Sequence, residues 1–233
     1  FENLLEWKNG LFEVQDEGSQ IAALLCDARP GMQVADVCSG AGGKLLVMAA
    51  RMNNKGRILA LDVNSEKLNQ SKIRLRRAKV QNVEQVLVKK GWSNERWTKK
   101  FDRVVVDAPC SGSGTWRRQV DARWSLTPQK FREYKEAQSD LLENARAMVA
   151  PEGRIIYITC SFLASEGQEQ IKNLMVKAPE LELVRIEKVW ERTVLALGGG
   201  NCPPTDGKFL QLTPGKNRTD GFFIAILRAC HAY

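Results

Sequence analysis

From residue 33 onward the chain alternates short apolar, β-branched runs with turns and longer amphipathic segments. That alternation confines the chain to an α/β fold. A run buried on both faces needs helices on each side, and parallel neighbours need a long crossover between them. Strands are expected at 33–37, 57–62, 84–88, 102–106, 154–159, 182–188 and 222–227, and helices at 18–28, 44–52, 65–79, 128–149 and 165–177. The longest helix is well punctuated, with Thr127 as N-cap, Pro128 in the first helical position, and Pro151 and Gly153 beyond its end. Residues 194–219, broken by Gly198, Gly199, Gly200, Pro203, Pro204, Pro214 and Gly215, read as a long loop before the last strand. A loop of that length is more often a lid or binding loop than filler. Residues 1–30 read as a lead-in segment and helix, and 1–233 as one domain.

Composition narrows the function classes. With 43% apolar residues, 18 Gly and 8 Pro, the chain is neither disordered nor collagenous. No run approaches the roughly 20 apolar residues that cross a bilayer, and no signal pattern opens the chain. A soluble, unsecreted, cytoplasmic protein is therefore expected. The first residue is Phe1 rather than Met, so a fragment with an upstream part outside this chain is expected. Thirty-five Lys and Arg against 27 Asp and Glu give a net charge of +8, which favours a polyanionic partner. The six cysteines, Cys26, Cys38, Cys110, Cys160, Cys202 and Cys230, form no C-x-x-C pair, and the single histidine is His231. That inventory excludes zinc-finger spacing and a His-based triad in the body of the chain; free thiols and no metal are expected.

Val34-Ala35-Asp36-Val37 runs into Cys38-Ser39-Gly40-Ala41-Gly42-Gly43-Lys44, after which a helix begins. A glycine-rich turn at that point lets backbone N–H groups approach a phosphate or a carboxylate closely. The next strand ends in Asp62, about 20 residues on, where an open α/β sheet places an acid that binds ribose hydroxyls. The competing reading is an ordinary turn followed by an aspartate that caps the next helix. A Walker A loop is disfavoured because Leu45 follows Lys44, leaving no hydroxyl for magnesium, and the glycine spacing is not that of a dinucleotide fingerprint. S-adenosylmethionine (SAM), which has no phosphate and offers a carboxylate, fits what remains.

Two further strands end in cysteine-bearing turns. Asp107 leads into Ala108-Pro109-Cys110-Ser111-Gly112-Ser113-Gly114-Thr115, and Tyr157-Ile158-Thr159 leads into Cys160-Ser161. Carboxyl ends of strands form the ligand crevice of a doubly wound sheet, so Asp107, Cys110 and Cys160 can meet near the glycine loop. Cys26, Cys38, Cys202 and Cys230 read as structural thiols. A thiolate suits one reaction in particular: added at carbon 6 of cytosine, it makes carbon 5 nucleophilic enough to take a sulfonium methyl group. The thiolate needs a lowered pKa, for which Lys44 or the helix N-terminus after Cys160 are candidates. An acid at ring nitrogen 3 would relieve the developing negative charge, and Asp107, with a raised pKa, is the candidate.

The two cysteine motifs together resemble those of the RNA (cytosine-5) methyltransferases of the RsmB (Fmu, Sun) type. The likeness extends to Val14-Gln15-Asp16-Glu17-Gly18-Ser19-Gln20, the loop ending Gly42-Gly43-Lys44, Glu166-Gly167-Gln168 and Asp220-Gly221-Phe222-Phe223, and so covers nearly the whole chain. The resemblance implies a Rossmann-like, SAM-dependent methyltransferase: a mostly parallel seven-stranded sheet with helices on both faces and the last strand antiparallel. It implies Cys160 as nucleophile, Cys110 as the thiol that assists release of the methylated base, and Asp107 and Lys44 beside the target cytosine. Cys38, Ser39, Gly40, Ala41, Gly42, Gly43 and Lys44 would hold the methionine part of SAM, with Asp107 beside it, and Asp62 the ribose. The implied substrate is RNA, ribosomal RNA first, and the family's RNA-binding segments usually precede this domain. Two departures stand out. Ser39-Gly40-Ala41 replaces the usual Ala-Pro before Gly-Gly-Lys, and Val88-Lys89-Lys90-Gly91-Trp92-Ser93 replaces the third-strand acid near the adenine. Trp92 either stacks on that ring or is a half-buried aromatic.

Arg117, Arg118 and Arg123 interleave with Trp116 and Trp124 just after the Cys110 motif, a mixture suited to the phosphates and splayed bases of single-stranded RNA. Lys72, Arg74, Arg76, Arg77 and Lys79 read instead as a solvated helix face. Two other classes remain as alternatives: a non-catalytic RNA-binding module on the same fold, and a SAM enzyme that methylates an exocyclic amino group.

Overall fold

The computed structural model describes residues 1–230; the expectation attached to His231 lies outside them. The strands are β1 (Gln33–Asp36), β2 (Arg57–Asp62), β3 (Val83–Leu87), β4 (Phe101–Asp107), β5 (Val149–Thr159), β6 (Leu181–Leu183), β7 (Phe209–Leu212) and β8 (Phe222–Ala229). They form one sheet in the order β3-β2-β1-β4-β5-β8-β6, with β7 also paired to β8. Strands β1 to β5 pair in parallel, whereas β8 runs antiparallel to β5, β6 and β7. The helices are α1 (Leu5–Lys8), α2 (Glu17–Leu24), α3 (Gly43–Arg51), α4 (Ser65–Arg77), α5 (Val120–Trp124), α6 (Pro128–Met148), α7 (Gln168–Lys177), α8 (Ile186–Thr193) and α9 (Pro214–Asn217). No helix among the described residues is long and apolar enough to cross a membrane. The order reverses between β1 and β4, and a doubly wound sheet opens its ligand crevice at that reversal.

Alternation along the strands builds two cores. Val34, Ile58, Val105, Ile156, Ile158, Ile224 and Ile226 face one side, against Leu45 and Met48 of α3 and Val189 and Trp190 of α8. Their neighbours Ala35, Leu59, Val104, Val106, Ile155, Tyr157 and Phe223 face the other, against Leu142, Ala145 and Met148 of α6 and Ile171 and Leu174 of α7. Because successive strand side chains point to opposite faces, both parities must be apolar, which is why these strands read as unbroken apolar runs. Each fully buried aliphatic side chain contributes about 1.5–3 kcal/mol. Thr127 caps α6 by accepting from the Lys130 N–H, and Pro128 takes the first helical position, as expected.

Three expectations are corrected. The run at 182–188 is a strand only over Leu181–Leu183, and Ile186–Thr193 is helix α8. Its buried residues Ile186, Val189, Trp190 and Thr193 fall at helical spacing, so a period of 3.6 prevails over β-branched composition. The stretch 194–219 is not loop throughout. It contains β7, whose Leu210 and Leu212 are buried while Phe209 and Gln211 are not, and the short α9. Strand β7 pairs with β8 over Phe222 to Ala225, which makes eight strands among the described residues instead of seven. The expected helix at 165–177 begins as a 3-10 turn at Ala164–Glu166 and becomes α-helical only from Gln168.

Ile156 is wholly buried in the middle of β5. Its replacement by Ala should cost about 2–5 kcal/mol of stability, read from urea unfolding curves, with the larger value if the space cannot collapse.

Candidate active site

The loop from β1 into α3 turns on two glycines. Gly42, at φ +83°, lies so close to α4 that a Cβ would stand 2.3 Å from Ser71 Oγ. Gly40, at φ +54°, would point a Cβ where it meets only the Cys38 carbonyl oxygen, at 4.0 Å, which leaves the room a ligand over this loop needs. Asp62, buried at the end of β2, fastens the loop: one carboxylate oxygen accepts from the Gly40 N–H at 2.7 Å and the other from the Asn64 N–H at 2.8 Å. Helix α4 is capped by Asn64, not Asp62. Arg74 donates to the Ala41 carbonyl at 2.9 Å and to Glu13, and Arg77 also donates to Glu13. The solvated-face reading therefore holds for Lys72, Arg76 and Lys79, which are exposed, but not for these two arginines. They tie the lead-in segment to the glycine loop, and their partners, being distant in sequence, left no local signal.

Two cavities flank this loop. One of about 300 Å³ is bounded by Val37, Cys38, Asp62, Gly91, Trp92 and Pro109, at the lower end of the range for small-ligand sites. Trp92 is half-buried, meets Trp97 edge to face at 5.4 Å and presents its remainder to this cavity. The other, of about 340 Å³, is bounded by Ser39 to Lys44, Asp107, Thr115, Arg118, Cys160 and Phe222. The helix face at Glu133 to Asn144, which also bounds the first cavity, was not singled out from the sequence.

Adjacent strand ends bring the reactive side chains together. Asp107 pairs in register with Ile158, so the turns after β4 and β5 begin side by side. The Cys110 and Cys160 sulfurs lie 3.4 Å apart. The Gly114 N–H donates to the Cys160 carbonyl at 2.9 Å, and the Gly221 N–H donates to the Gly114 carbonyl at 2.8 Å. At Gly114 a Cβ would lie 2.3 Å from the Gly221 carbonyl oxygen, so only glycine permits this crossing. Lys44 Nζ, on α3, meets Asp107 Oδ2 at 2.6 Å and lies 5.5 Å from the centre of the Phe222 ring.

Charge is distributed unevenly over these groups. Burial pushes the Lys44 ammonium down, but contact with Asp107 and the field of Asp36 outweigh it, and its pKa ends above the ordinary lysine value. Either sulfur can donate across this contact; the hydrogen bond with Cys110 holds the Cys160 pKa below the ordinary thiol value against burial and Asp107, and Lys44 pulls in the same direction. Cys110 moves well up, first through that same hydrogen bond and then through burial, with the Glu166 carboxylate adding to the effect. Cys160 is thus the member of the pair disposed to be a thiolate, and Cys110 the one that keeps its proton. Neighbouring Cys110 is the dominant cause, where sequence pointed to Lys44 or a helix N-terminus; α7 begins only at Gln168.

Of the basic and aromatic residues after Cys110, Arg118 borders the Cys160 cavity. Trp116 is half-buried and donates from its indole to the Ser111 carbonyl, while Trp124 is 77% exposed. Arg123 spans them, 5.9 Å from one ring centre and 5.4 Å from the other. Arg118 and Arg117 pair with the buried Asp220.

Asp36, at the end of β1, is pushed up to about 7 by burial first and by Asp107 second. It keeps its proton in the fold where the unfolded chain, with an ordinary value of 3.8, has lost it. The resulting stabilisation is whole below pH 3.8 and is lost as pH rises to about 7. Denaturant titrations should therefore show the wild type losing stability relative to Asp36→Asn between those limits and running parallel to it above them. A difference that does not change with pH would refute the assignment.

Residues 23–228 match the family model described as 16S rRNA methyltransferase RsmB/F. The Ribosomal RNA small subunit methyltransferase B of Yersinia pseudotuberculosis serotype O:1b (strain IP 31758) is 33% identical over 221 residues, covering 93% of this chain and 46% of that protein. The chain thus spans about half the length of the curated relatives it matches. Among solved structures, a methyltransferase homolog protein from Pyrococcus horikoshii superposes with a TM-score of 0.78 at 28% identity, over 98% of this chain and 71% of that one. NSun6 from Pyrococcus horikoshii, solved with SFG, superposes with a TM-score of 0.82 at 22% identity, over 100% and 56%. With a Rossmann-like methyltransferase sheet, paired cysteine turns and a matching model over most of its length, the chain belongs to the RsmB/F family of 16S rRNA methyltransferases.

Proposed function

We propose that this domain transfers a methyl group to carbon 5 of cytosine in RNA, ribosomal RNA first, through a covalent adduct between Cys160 and carbon 6 of the base. The observation that carries the reading is the pair of unequal thiols 3.4 Å apart beside the glycine loop. A thiol disposed to ionise is what addition at carbon 6 requires, and a second sulfur in contact with it lies where the adduct must later be released.

The cofactor is SAM, and the residues present suit it. Room over Gly40, backbone N–H groups entering α3, and a cavity running from Cys38 to Trp92 offer places for an amino-acid carboxylate, a ribose and a ring. Each Asp62 oxygen accepts one backbone N–H and keeps a lone pair for a ribose hydroxyl. Bound SAM supplies an electrophilic methyl group on a sulfonium. Cys38 to Lys44 hold the amino-acid part, with Asp107 beside it.

In the target cavity the Cys160 thiolate adds to carbon 6, and carbon 5 gains the electron density to take the methyl group. Asp107 and Lys44, paired at 2.6 Å, face the ring edge at nitrogen 3 and offset the charge that addition places there. A base then removes the proton on carbon 5, the bond from sulfur to carbon 6 breaks, and the Cys160 thiolate returns. Cys110 assists that release from 3.4 Å away. Trp116, Trp124 and Arg123 form the stacking surface beside the cleft, and Arg117 and Arg118 contact phosphates. A splayed, single-stranded target costs less to place than a base flipped from a duplex. A cytoplasmic location goes with this reading.

Incubation of purified variants with methyl-labelled SAM and RNA, followed by denaturing gels, tests it. Cys160→Ser should lose methyl transfer altogether, by at least about 10³-fold. Cys110→Ser should accumulate protein bound covalently to RNA. Normal turnover by Cys160→Ser, or methyl groups found off carbon 5 in digested RNA, would overturn the proposal.

A further inference from the structure

Glu166 lies in the 3-10 turn between Cys160 and α7 and is completely buried. No ion pair among the described residues includes it. A buried carboxylate without a cation ordinarily costs several kcal/mol and persists only when hydrogen bonds satisfy it. Four do so here. Oε1 accepts from the Ser111 N–H at 2.8 Å and from Gln138 Nε2 at 3.2 Å; Oε2 accepts from Ser111 Oγ at 2.5 Å and Ser161 Oγ at 2.6 Å. Gln138, from α6, also donates to the Pro109 carbonyl at 2.9 Å, and Tyr157, from β5, donates to the Glu166 carbonyl at 2.7 Å.

The two serines are the residues that directly follow Cys110 and Cys160. A carboxylate only accepts, so both hydroxyls must donate into it. Ser161 Oγ is then free to accept from the Leu163 N–H at 3.1 Å and from Ser113 Oγ at 3.1 Å, and Ser113 Oγ accepts from the Phe162 N–H at 2.8 Å. A single anion thereby sets the direction of every hydroxyl that links the two cysteine turns.

We propose that Glu166 is the positioning residue of the site: its buried carboxylate clamps Ser111 to Ser161 and so fixes the 3.4 Å spacing between the Cys110 and Cys160 sulfurs. The clamp rests on the reading of Cys160 as nucleophile and Cys110 as release thiol. It touches neither substrate nor cofactor. Its charge lies on the Cys110 side of the pair and favours the proton on that sulfur, while Lys44 favours the thiolate on Cys160. The groups facing Cys160 are Cys110 from the turn after β4, Asp107 at the end of β4 and Lys44 from α3.

Alkylation of the full chain by iodoacetamide, without RNA or SAM, and quantified at each cysteine by peptide mass spectrometry across pH, reads the thiol pair directly. In the wild type, Cys160 should label faster than Cys110, with its midpoint below the ordinary cysteine value of about 8.5. Glu166→Ala should lower the Cys160-to-Cys110 labelling ratio about tenfold and return the Cys160 midpoint toward that ordinary value. Methyl transfer should fall about 10²-fold through kcat, with KM for SAM unchanged. Glu166→Gln, which keeps the shape and lets the hydroxyls turn to accept, should fall between the two. A folded Glu166→Ala with the wild-type ratio and midpoint would overturn the clamp. If that variant does not fold, Ser161→Ala and Ser111→Ala decide: a wild-type ratio in both overturns it, and a selective change at Cys160 in the first supports it. A wild-type chain that labels as expected but methylates no RNA overturns the proposed function and leaves the clamp standing.

Discussion

One ammonium organises the charges of the cleft. Lys44 enters from the first turn of α3 to meet Asp107, and Asp36 lies within its field. Carboxyl groups at the ends of β1, β2 and β4 converge there because parallel strands deliver their carboxyl ends to one side. Asp36 retains its proton up to about 7 and Asp62 is held by two backbone N–H groups, so neither needs a cation of its own. Lys44 then remains for Asp107 and for the sulfur of Cys160. A low-dielectric cleft magnifies each of these influences, so small displacements of one amine would move several equilibria together.

The parallel half of the fold was legible in the sequence because its strands are buried on both faces and its turns carry glycine. Val34 to Val37 and Val104 to Asp107 admit no helical reading, and Gly40 and Gly42 punctuate the loop where positive φ is required. Beyond β5 the signals compete. Ile186 and Val189 are β-branched yet helical, since Trp190 and Thr193 complete a buried stripe, while β7 is four residues long and hemmed in by proline and glycine. Its place was fixed by pairing with β8, a contact that no local window contains.

The candidate site shows the same division. Cys110, Cys160, Asp107, Lys44 and Asp62 announced themselves by residue type at strand ends and in the turns after them, and the structure places Cys160 and the Lys44–Asp107 pair around one cavity with the Cys110 sulfur 3.4 Å from that of Cys160. What could not be read was support. Glu166 stood in a segment of the family likeness with no role attached to it, Gln138 gave no signal, and Arg74 read as a solvated charge. Each acquires meaning only from partners far along the chain: Ser111, Pro109 and Ala41. Groups that touch a ligand tend to be chemically unusual, whereas groups that hold them in place are commonplace types in unusual surroundings.

The contact between Gly114 and Gly221 sets an order of events during synthesis. Gly221 opens the approach to β8, and its N–H completes the turn that carries Cys110 far earlier in the chain. A nascent polypeptide that has emerged only as far as Ser161 already possesses both sulfurs, the glycine loop and Lys44, yet lacks the Gly221 N–H that bonds the Gly114 carbonyl of that turn. The cleft therefore matures together with the antiparallel strand, and a partly translated chain carries both cysteines before the surroundings of their turns are complete.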